Sequence, residues 1–317
     1  MYRILYHTDS DGYAAAAVAF QYLTVERGIN RDLVTFHPMN YGYPIPEELK
    51  PEDDIYMLDF AIQPLEEMEA FAQKFPLLEW VDHHQTSVDM VEASVGLSQI
   101  PGIIKTKLEH PTPNCAGGIP LAGCELAWLH FYGVEQPMPE ALRLVGDWDT
   151  WRASGKGSNA RLFQNYLATI EMDPRNLAGL ANWIDLLGGG NHSIAELIDK
   201  GCLIADYLDR AHAGKAKVAA FECTFAELRA IAMFAGPGSP QFDSVYDTEK
   251  HDLMIAVNYS NKGYWTVHLY TETEDRVHAG KLAKRIGEAG PIPSGGGHAG
   301  AAGFQTTTAH MLELLGL

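Results

Sequence analysis

Little in this sequence can be stapled, threaded through a bilayer or wrapped along a polyanion. Its 317 residues hold four cysteines. Cys115, Cys124, Cys202 and Cys223 form no Cys-x-x-Cys pair and have no histidine at zinc-knuckle spacing, so a disulfide framework and a structural zinc site are excluded. Reduced thiols in a cytoplasmic protein are expected. No apolar run nears the ~20 residues that a membrane-spanning helix needs, and residues 1–7 run into a polar turn without the apolar core of a secretion signal. Basic residues are also scarce. The 23 Lys and Arg against 41 Asp and Glu leave a net charge of -18, which disfavours long duplex nucleic acid as a partner because such a groove neutralises many phosphates with Lys and Arg. A Gly-Lys-Ser/Thr run is missing, and with it a nucleotide-triphosphate P-loop.

What is present is an ordinary globular composition, 46% apolar and 20% charged, in a chain long enough for two moderate cores. Residues 2–6, 33–37, 55–58 and 77–81 read as short apolar strands, with helices expected over 14–23 and 66–75. Residues 101–120 are rich in Pro, Gly and Thr and read as an irregular crossing, with a short strand possible in 103–108. Helices are expected over 121–132 and 139–145 and across most of 159–187, interrupted near Pro174. Another restarts after the Gly188–Asn191 break and runs to 211 or beyond. Strands at 217–224, 228–234, 252–259 and 264–270 and a helix at 277–286 follow. The predicted fold is α/β: an N-terminal open, mostly parallel sheet with flanking helices over 1–187, a helical connector over 188–214, and a smaller C-terminal α/β domain over 215–317.

Polar residues fall where the strands end. His7 closes the first, Asp59 the third and Asp82-His83-His84 the fourth, while Asp9 and Asp11 lie on the turn beyond the first. Open α/β sheets bind ligands outside the carboxyl ends of their strands, so these side chains are expected to converge. Hydrolysis of a phosphoester needs neutralised phosphoryl oxygens and an activated water, which two cations about 3.5–4 Å apart supply together. Such a pair takes several carboxylates, one of them shared, and neutral imidazoles. His7, Asp9, Asp11, Asp59, His83 and an aspartate of Gly146-Asp147-Trp148-Asp149 form that inventory. Asp147 is preferred as the fourth-motif ligand because it follows the apolar Leu144-Val145 run, and Asp149 stays open as the alternative. Imidazoles mixed with carboxylates favour manganese, with cobalt, magnesium, iron or zinc as competitors.

These motifs, His7-Thr8-Asp9-Ser10-Asp11-Gly12, Leu58-Asp59, Asp82-His83-His84, Val145-Gly146-Asp147 and, near the end, Gly295-Gly296-Gly297-His298, resemble those of the DHH phosphoesterase superfamily. The similarity is to its branch with an associated glycine-rich C-terminal domain, and it spans nearly the whole chain in the family's order. It implies two divalent metal ions, one held by His7, Asp9 and Asp59 and the other by Asp11, Asp59, His83 and Asp147, with Asp59 as bridge. Asp82 would orient the first histidine of its motif, and His84 would face the substrate phosphate. The tight His7-Thr8-Asp9 spacing suits the oligoribonuclease-like subgroup.

The resemblance further implies that Gly296, Gly297 and His298 hold a nonreacting phosphate or terminal nucleotide, with Arg276 as a nearby cation. Related proteins often carry an arginine at the end of the preceding strand, where this chain has Tyr270. The expected activity is manganese-dependent hydrolysis of short 5′-phosphorylated RNA to mononucleotides by a metal-activated hydroxide. Cyclic nucleotides, linear or cyclic dinucleotides and 3′-phosphoadenosine 5′-phosphate are the alternative substrates. A nucleotide sensor or RNA-binding module without turnover is the alternative of another class. The sequence implies no membrane partner and leaves the oligomeric state open.

Overall fold

The computed structural model describes residues 1–104, 120–153, 155–188, 190, 193–273, 275–292 and 294–317. The chain divides into two compact units, Met1–Ala205 and Asp206–Leu317. Cys115 and most of the short strand expected at 103–108 lie outside the described residues, as does much of the Gly188–Asn191 break.

The first unit opens with strand β1 (Tyr2–His7), helix α1 (Ser10–Gln21), strands β2 (Val34–Met39) and β3 (Asp54–Leu58), helix α2 (Leu65–Lys74), strand β4 (Leu78–Asp82), helix α3 (Gln85–Ala93) and strand β5 (Gly102–Ile104). The five strands line up in the order β2-β1-β3-β4-β5, every neighbouring pair parallel. Chain order reverses between β1 and β3, since β1 leads outward to β2 before the chain returns to its other side. That reversal opens a crevice at the carboxyl ends; His7 and Asp82 end β1 and β4 beside it, and Asp59 directly follows β3 between them.

Helices α4 (Gly123–Tyr132), α5 (Glu140–Asp149), α6 (Asn159–Leu167) and α7 (Leu177–Gly188) complete the unit. Ala14 to Ala17 and Ala19 of α1 are fully buried. Alanine forms helix well and keeps the helix surface flat, so α1 packs closely on both the sheet and α4, sharing one core with Leu126, Ala127, Phe163 and Trp183. The opposite sheet face is closed by α2 around Trp80, Met57, Phe71 and Phe75. Burying a side chain of that size contributes about 1.5–3 kcal/mol, so the strand ends are held by a rigid core on both sides.

Helix α8 (Ile194–Ala219) passes through the boundary between the units. It takes residues 217–219 from the strand expected there, because Lys-Val-Ala-Ala carries no glycine or proline to stop a helix. Strands β6 (Phe221–Phe225), β7 (Leu228–Phe234), β8 (Leu253–Tyr259) and β9 (Trp265–Tyr270), helix α9 (Ala279–Ala289), strands β10 (Gly296–Gly297) and β11 (Ala301–Thr306) and helix α10 (Thr308–Leu315) form the second unit. Its sheet has the order β10-β11-β9-β8-β7-β6, with β7 and β8 parallel and the other pairs antiparallel. Helices α9 and α10 cover one face over Val257, Val267, Leu282 and Phe304. Among the described residues no helix is long and apolar enough to cross a membrane.

Candidate metal centre

Each side chain at the crevice is placed by a local rule. Asp9 is the N-cap of α1, its Oδ1 accepting from the Gly12 amide at 2.9 Å, which leaves Oδ2 beside His7 Nδ1 at 2.6 Å. Asp11, in the first turn of α1, accepts from the Gly123 and Cys124 amides at 2.7 and 2.8 Å. Those amides begin α4, where unpaired N–H groups and the helix dipole favour an anion. Asp59 follows β3 with φ of 55°, a left-handed backbone that costs a non-glycine residue about 1–3 kcal/mol. A Cβ on Gly123 would stand 2.6 Å from the Cβ of Asp59. Only glycine lets α4 come this close to the strand end.

Asp59 then reaches in two directions. Its Oδ2 is 3.8 Å from His7 Nδ1, and its Oδ1 is 3.3 Å from His83 Nε2. The same His83 nitrogen stands 3.5 Å from Asp11 Oδ2 and 3.3 Å from Asp149 Oδ2. Two donor groups result, His7 with Asp9 and Asp59, and Asp11 with His83 and Asp149, the ligand atoms of each within 4.8 Å of one another.

Asp149, the alternative in the sequence, and not Asp147 stands beside His83 and Asp11. Both lie on α5, which runs to Asp149 rather than ending near 145, and residues two apart on a helix point to different sides. Asp147 Oδ1 instead accepts from Arg152 Nε at 2.8 Å, while the two Arg152 Nη groups grip Glu125 at 2.8 Å each. Asp82 also differs from expectation. Its Oδ1 accepts from the His83 and His84 amides and from His84 Nδ1, at 2.7, 3.1 and 2.7 Å, and its Oδ2 accepts from the Ser87 hydroxyl. The carboxylate orients the ring of the second histidine, with only the backbone of the first.

Electrostatics divides these groups. Burial and then the charge of Asp11 push the Asp59 carboxyl well above the usual range. Burial and Asp149 raise Asp11; burial and Asp9 raise Asp149 to about 7. Burial and the neighbouring His84 bring His83 down to about 4, leaving it a neutral imidazole at pH 7. For His84 burial works downward, but the charge and hydrogen bond of Asp82 prevail and push it up to about 9.

The donors fit divalent cations. Asp59 Oδ1 and Asp149 Oδ2 are buried and have no hydrogen-bond partner among the described residues, an arrangement that costs free energy unless something positive is coordinated there. Carboxylates crowded until their protons are retained are relieved by a cation, and neutral imidazoles complete the oxygen and nitrogen set that manganese, magnesium, zinc, cobalt or iron accepts.

No family model matches this sequence, and no curated protein matches it. Solved structures do. The chain is similar to the DHH domain of a member of a family of ribosomal proteins, at 14% identity and a TM-score of 0.61, over 99% of this chain and 85% of that one. The fold is that of a DHH domain. An exonuclease RecJ bound to manganese (19% identity, TM-score 0.47, 99% and 87% of the two chains) and a pGpG-specific phosphodiesterase from Vibrio cholerae (16%, 0.43, 99% and 96%) overlay more loosely.

In the second unit of this DHH-fold chain the glycines have a packing reason. Gly295, Gly296 and Gly297 have φ of 125°, 157° and 134°, and Gly296 and Gly297 pair with Gly303 and Ala302 as a short strand instead of an open loop. The carbonyls of His298 and Ala299 accept from the Gly280 and Ala279 amides at 2.9 and 2.7 Å, so this segment caps α9. Arg276 Nη1 donates to Thr248 O at 3.4 Å. The hydroxyl of Tyr270, at the end of β9, accepts from the Gly238 amide at 2.7 Å.

The sequence reading missed the amides of Gly123 and Cys124, the Ser87 hydroxyl and the Arg152 clasp. Ser87 has a signal, lying three residues after His84 at the start of a helix. The contact of Gly123 with Asp11 spans 112 residues of chain and that of Arg152 with Glu125 spans 27, with no local periodicity to mark either.

Two outcomes are expected. For Asp149 and for His84 the folded values, about 7 and about 9, lie above 3.8 and 6.5. The native state thus binds more protons, and stability is lost as pH rises through those values. His83, lowered, works in the opposite direction only until its unfolded-state imidazole has lost its proton, and the two raised groups outweigh it. Between pH 6.5 and about 8.5 the melting temperature of metal-free protein should fall, and manganese should raise it more at the alkaline end, where protons no longer compete. Asp59→Asn should stabilise the metal-free chain at alkaline pH and abolish the manganese increment; an undiminished increment in that variant contradicts the site. By titration calorimetry, Asp149→Asn should weaken manganese binding by more than ~10-fold, whereas Asp147→Asn, breaking only the Arg152 contact, should leave it within ~3-fold. The reverse ranking returns the ligand to Asp147.

Proposed function

We propose that this chain is a metal-dependent phosphodiesterase that hydrolyses short 5′-phosphorylated RNA to mononucleotides, with manganese as its preferred ion. The observation that carries the reading is the reach of Asp59, one buried carboxylate with an oxygen toward each of two donor groups. His7, Asp9 and Asp59 would hold one ion, and Asp11, Asp59, His83 and Asp149 the other. Bound there, divalent ions supply Lewis acidity toward phosphoryl oxygens and lower the pKa of water.

The protein's own groups do the rest. Asp9 and Asp11 are fixed at the start of α1: the Gly12 amide holds Asp9 by Oδ1 and leaves Oδ2 beside His7, and the Gly123 and Cys124 amides hold Asp11 with Oδ2 toward His83. His84 stays protonated at neutral pH because Asp82 holds its Nδ1, and it offers its Nε2 proton to a phosphoryl oxygen as charge builds there. Ser87 and the two backbone amides keep Asp82 from rotating. The Cys124 thiol beside Asp11 does not compete as a nucleophile: it is fully buried, and burial together with Asp11 pushes it well above the usual range. Gly296, Gly297 and His298 of the second unit, with Arg276, are proposed to engage the phosphate or sugar that is not cleaved. The net charge of -18 favours small substrates over long polyanions.

The test is a product assay with manganese across a 5′-phosphorylated diribonucleotide, cyclic mononucleotides, adenosine 3′,5′-bisphosphate and polyphosphate. The diribonucleotide should turn over fastest. Asp59→Ala and His83→Ala should lose at least ~10³-fold in kcat, and His84→Gln ~10²–10³-fold with manganese binding retained. Tight nucleotide binding without multiple turnover would instead identify a sensor, and faster turnover of another substrate would replace RNA while leaving the centre intact.

A further inference from the structure

Helix α8 spends much of its 26 residues in water with apolar side chains showing. Leu203, Tyr207 and Val218 are 74, 65 and 87% exposed, and Ala211 and Gly214, between them, are exposed as well. At 100° per residue these five positions fall within roughly an 80° arc, a continuous stripe rather than scattered surface residues. An apolar stripe on a charged helix marks a contact surface. Its composition is graded along the axis: large side chains at 203 and 207, small ones at 211 and 214. Nothing within 4 Å would meet a Cβ placed on Gly214.

Charge along one edge of the stripe is segregated in the same sense. Asp199 and Asp206 lie in the N-terminal part, Arg210 and Lys217 in the C-terminal part, all four exposed. Among the described residues none of them is seen in a hydrogen bond or ion pair. In a parallel pair this edge lies across from the other edge of the second helix, so these four charges do not meet one another. In an antiparallel pair the edge of one helix faces the same edge of the other, so acid meets base twice.

We infer that α8 is the interface of a two-fold symmetric dimer, in which two copies of this chain pair their α8 helices antiparallel. Setting Leu203 against Gly214 of the second copy brings Tyr207 over the second copy's Ala211, large against small in both layers. The same register places Asp206 beside Arg210 and Asp199 beside Lys217, each contact occurring twice by symmetry. Self-complementarity of size and of charge in one register is what an isologous interface requires, and edge charges select partner and direction in paired helices. The helix pair by itself is smaller than a standard stable interface, which places the association among weak dimers.

Sedimentation velocity with the full chain decides the matter. The wild type should pass from monomer to dimer between ~1 and ~100 μM, the range of weak association. Leu203→Glu should remain monomeric throughout, with its helix content checked by circular dichroism. Asp206→Arg and Arg210→Asp should each weaken the dimer by ~10-fold, and the double variant, which restores opposite charges across the two-fold, should return to within ~3-fold of wild type. This charge series stands even if Leu203→Glu folds poorly. A wild type monomeric across the range, or a dimer indifferent to the single reversals, overturns the proposal. A double variant no tighter than the singles overturns the antiparallel register.

Discussion

A carboxylate buried without enough positive charge around it is the constraint to which the first unit is fitted. Asp59 is 1% exposed, stands on left-handed backbone, and shares its surroundings with Asp9, Asp11, Asp149 and Asp82. Taken alone, each feature opposes folding, since desolvated like charges and a non-glycine residue at positive φ are both unfavourable. They persist because the strand order β1-β3-β4 brings three chain segments to one place and the core on both faces of the sheet fixes them there. Gly123 is part of the same adjustment, omitting the side chain that would otherwise separate α4 from Asp59. The stability of the core offsets a centre that is unfavourable until cations enter it.

Two adjacent histidines illustrate how one turn separates two roles. His83 is neutral because it is buried beside His84; His84 is charged because Asp82 outweighs its burial. A neutral imidazole suits metal coordination, and a charged one suits a developing oxyanion. The difference comes from a single carboxylate that reaches the ring of one residue and only the backbone of the other. Replacing it would change the state of His84 before that of His83, so the two are distinguishable by titration as well as by position.

Much of this was legible before the fold was seen, for identifiable reasons. Short apolar runs ending in Asp or His mark strands entering a crevice, and the observed β1, β3 and β4 end within a residue or two of the expected limits. The gathering of His7, Asp9, Asp11, Asp59 and His83 follows from the rule that open sheets bind at their carboxyl ends. What was not legible was phase on a helix, which brings Asp149 beside His83 and Asp147 beside Arg152. Preferring Asp147 rested on its offset from Leu144 and Val145, whereas the direction of a helical side chain depends on how α5 is rotated against its neighbours. Helix α3 was missed because its sequence begins inside the ligand motif, with His84 as its N-cap. The glycine triplet carries no periodicity that marks a strand, because its pairing with β11 and its contacts with α9 arise only on folding.

The central claim is that Asp59 joins two cations in one centre. Electron paramagnetic resonance of manganese added stepwise to the metal-free chain tests it most directly, because neighbouring manganese ions sharing a carboxylate are magnetically coupled. The account predicts saturation at about two ions per chain, with a coupled spectrum that reverts to isolated ions in Asp59→Asn. A single isolated ion at saturation, or two ions without coupling, would contradict it.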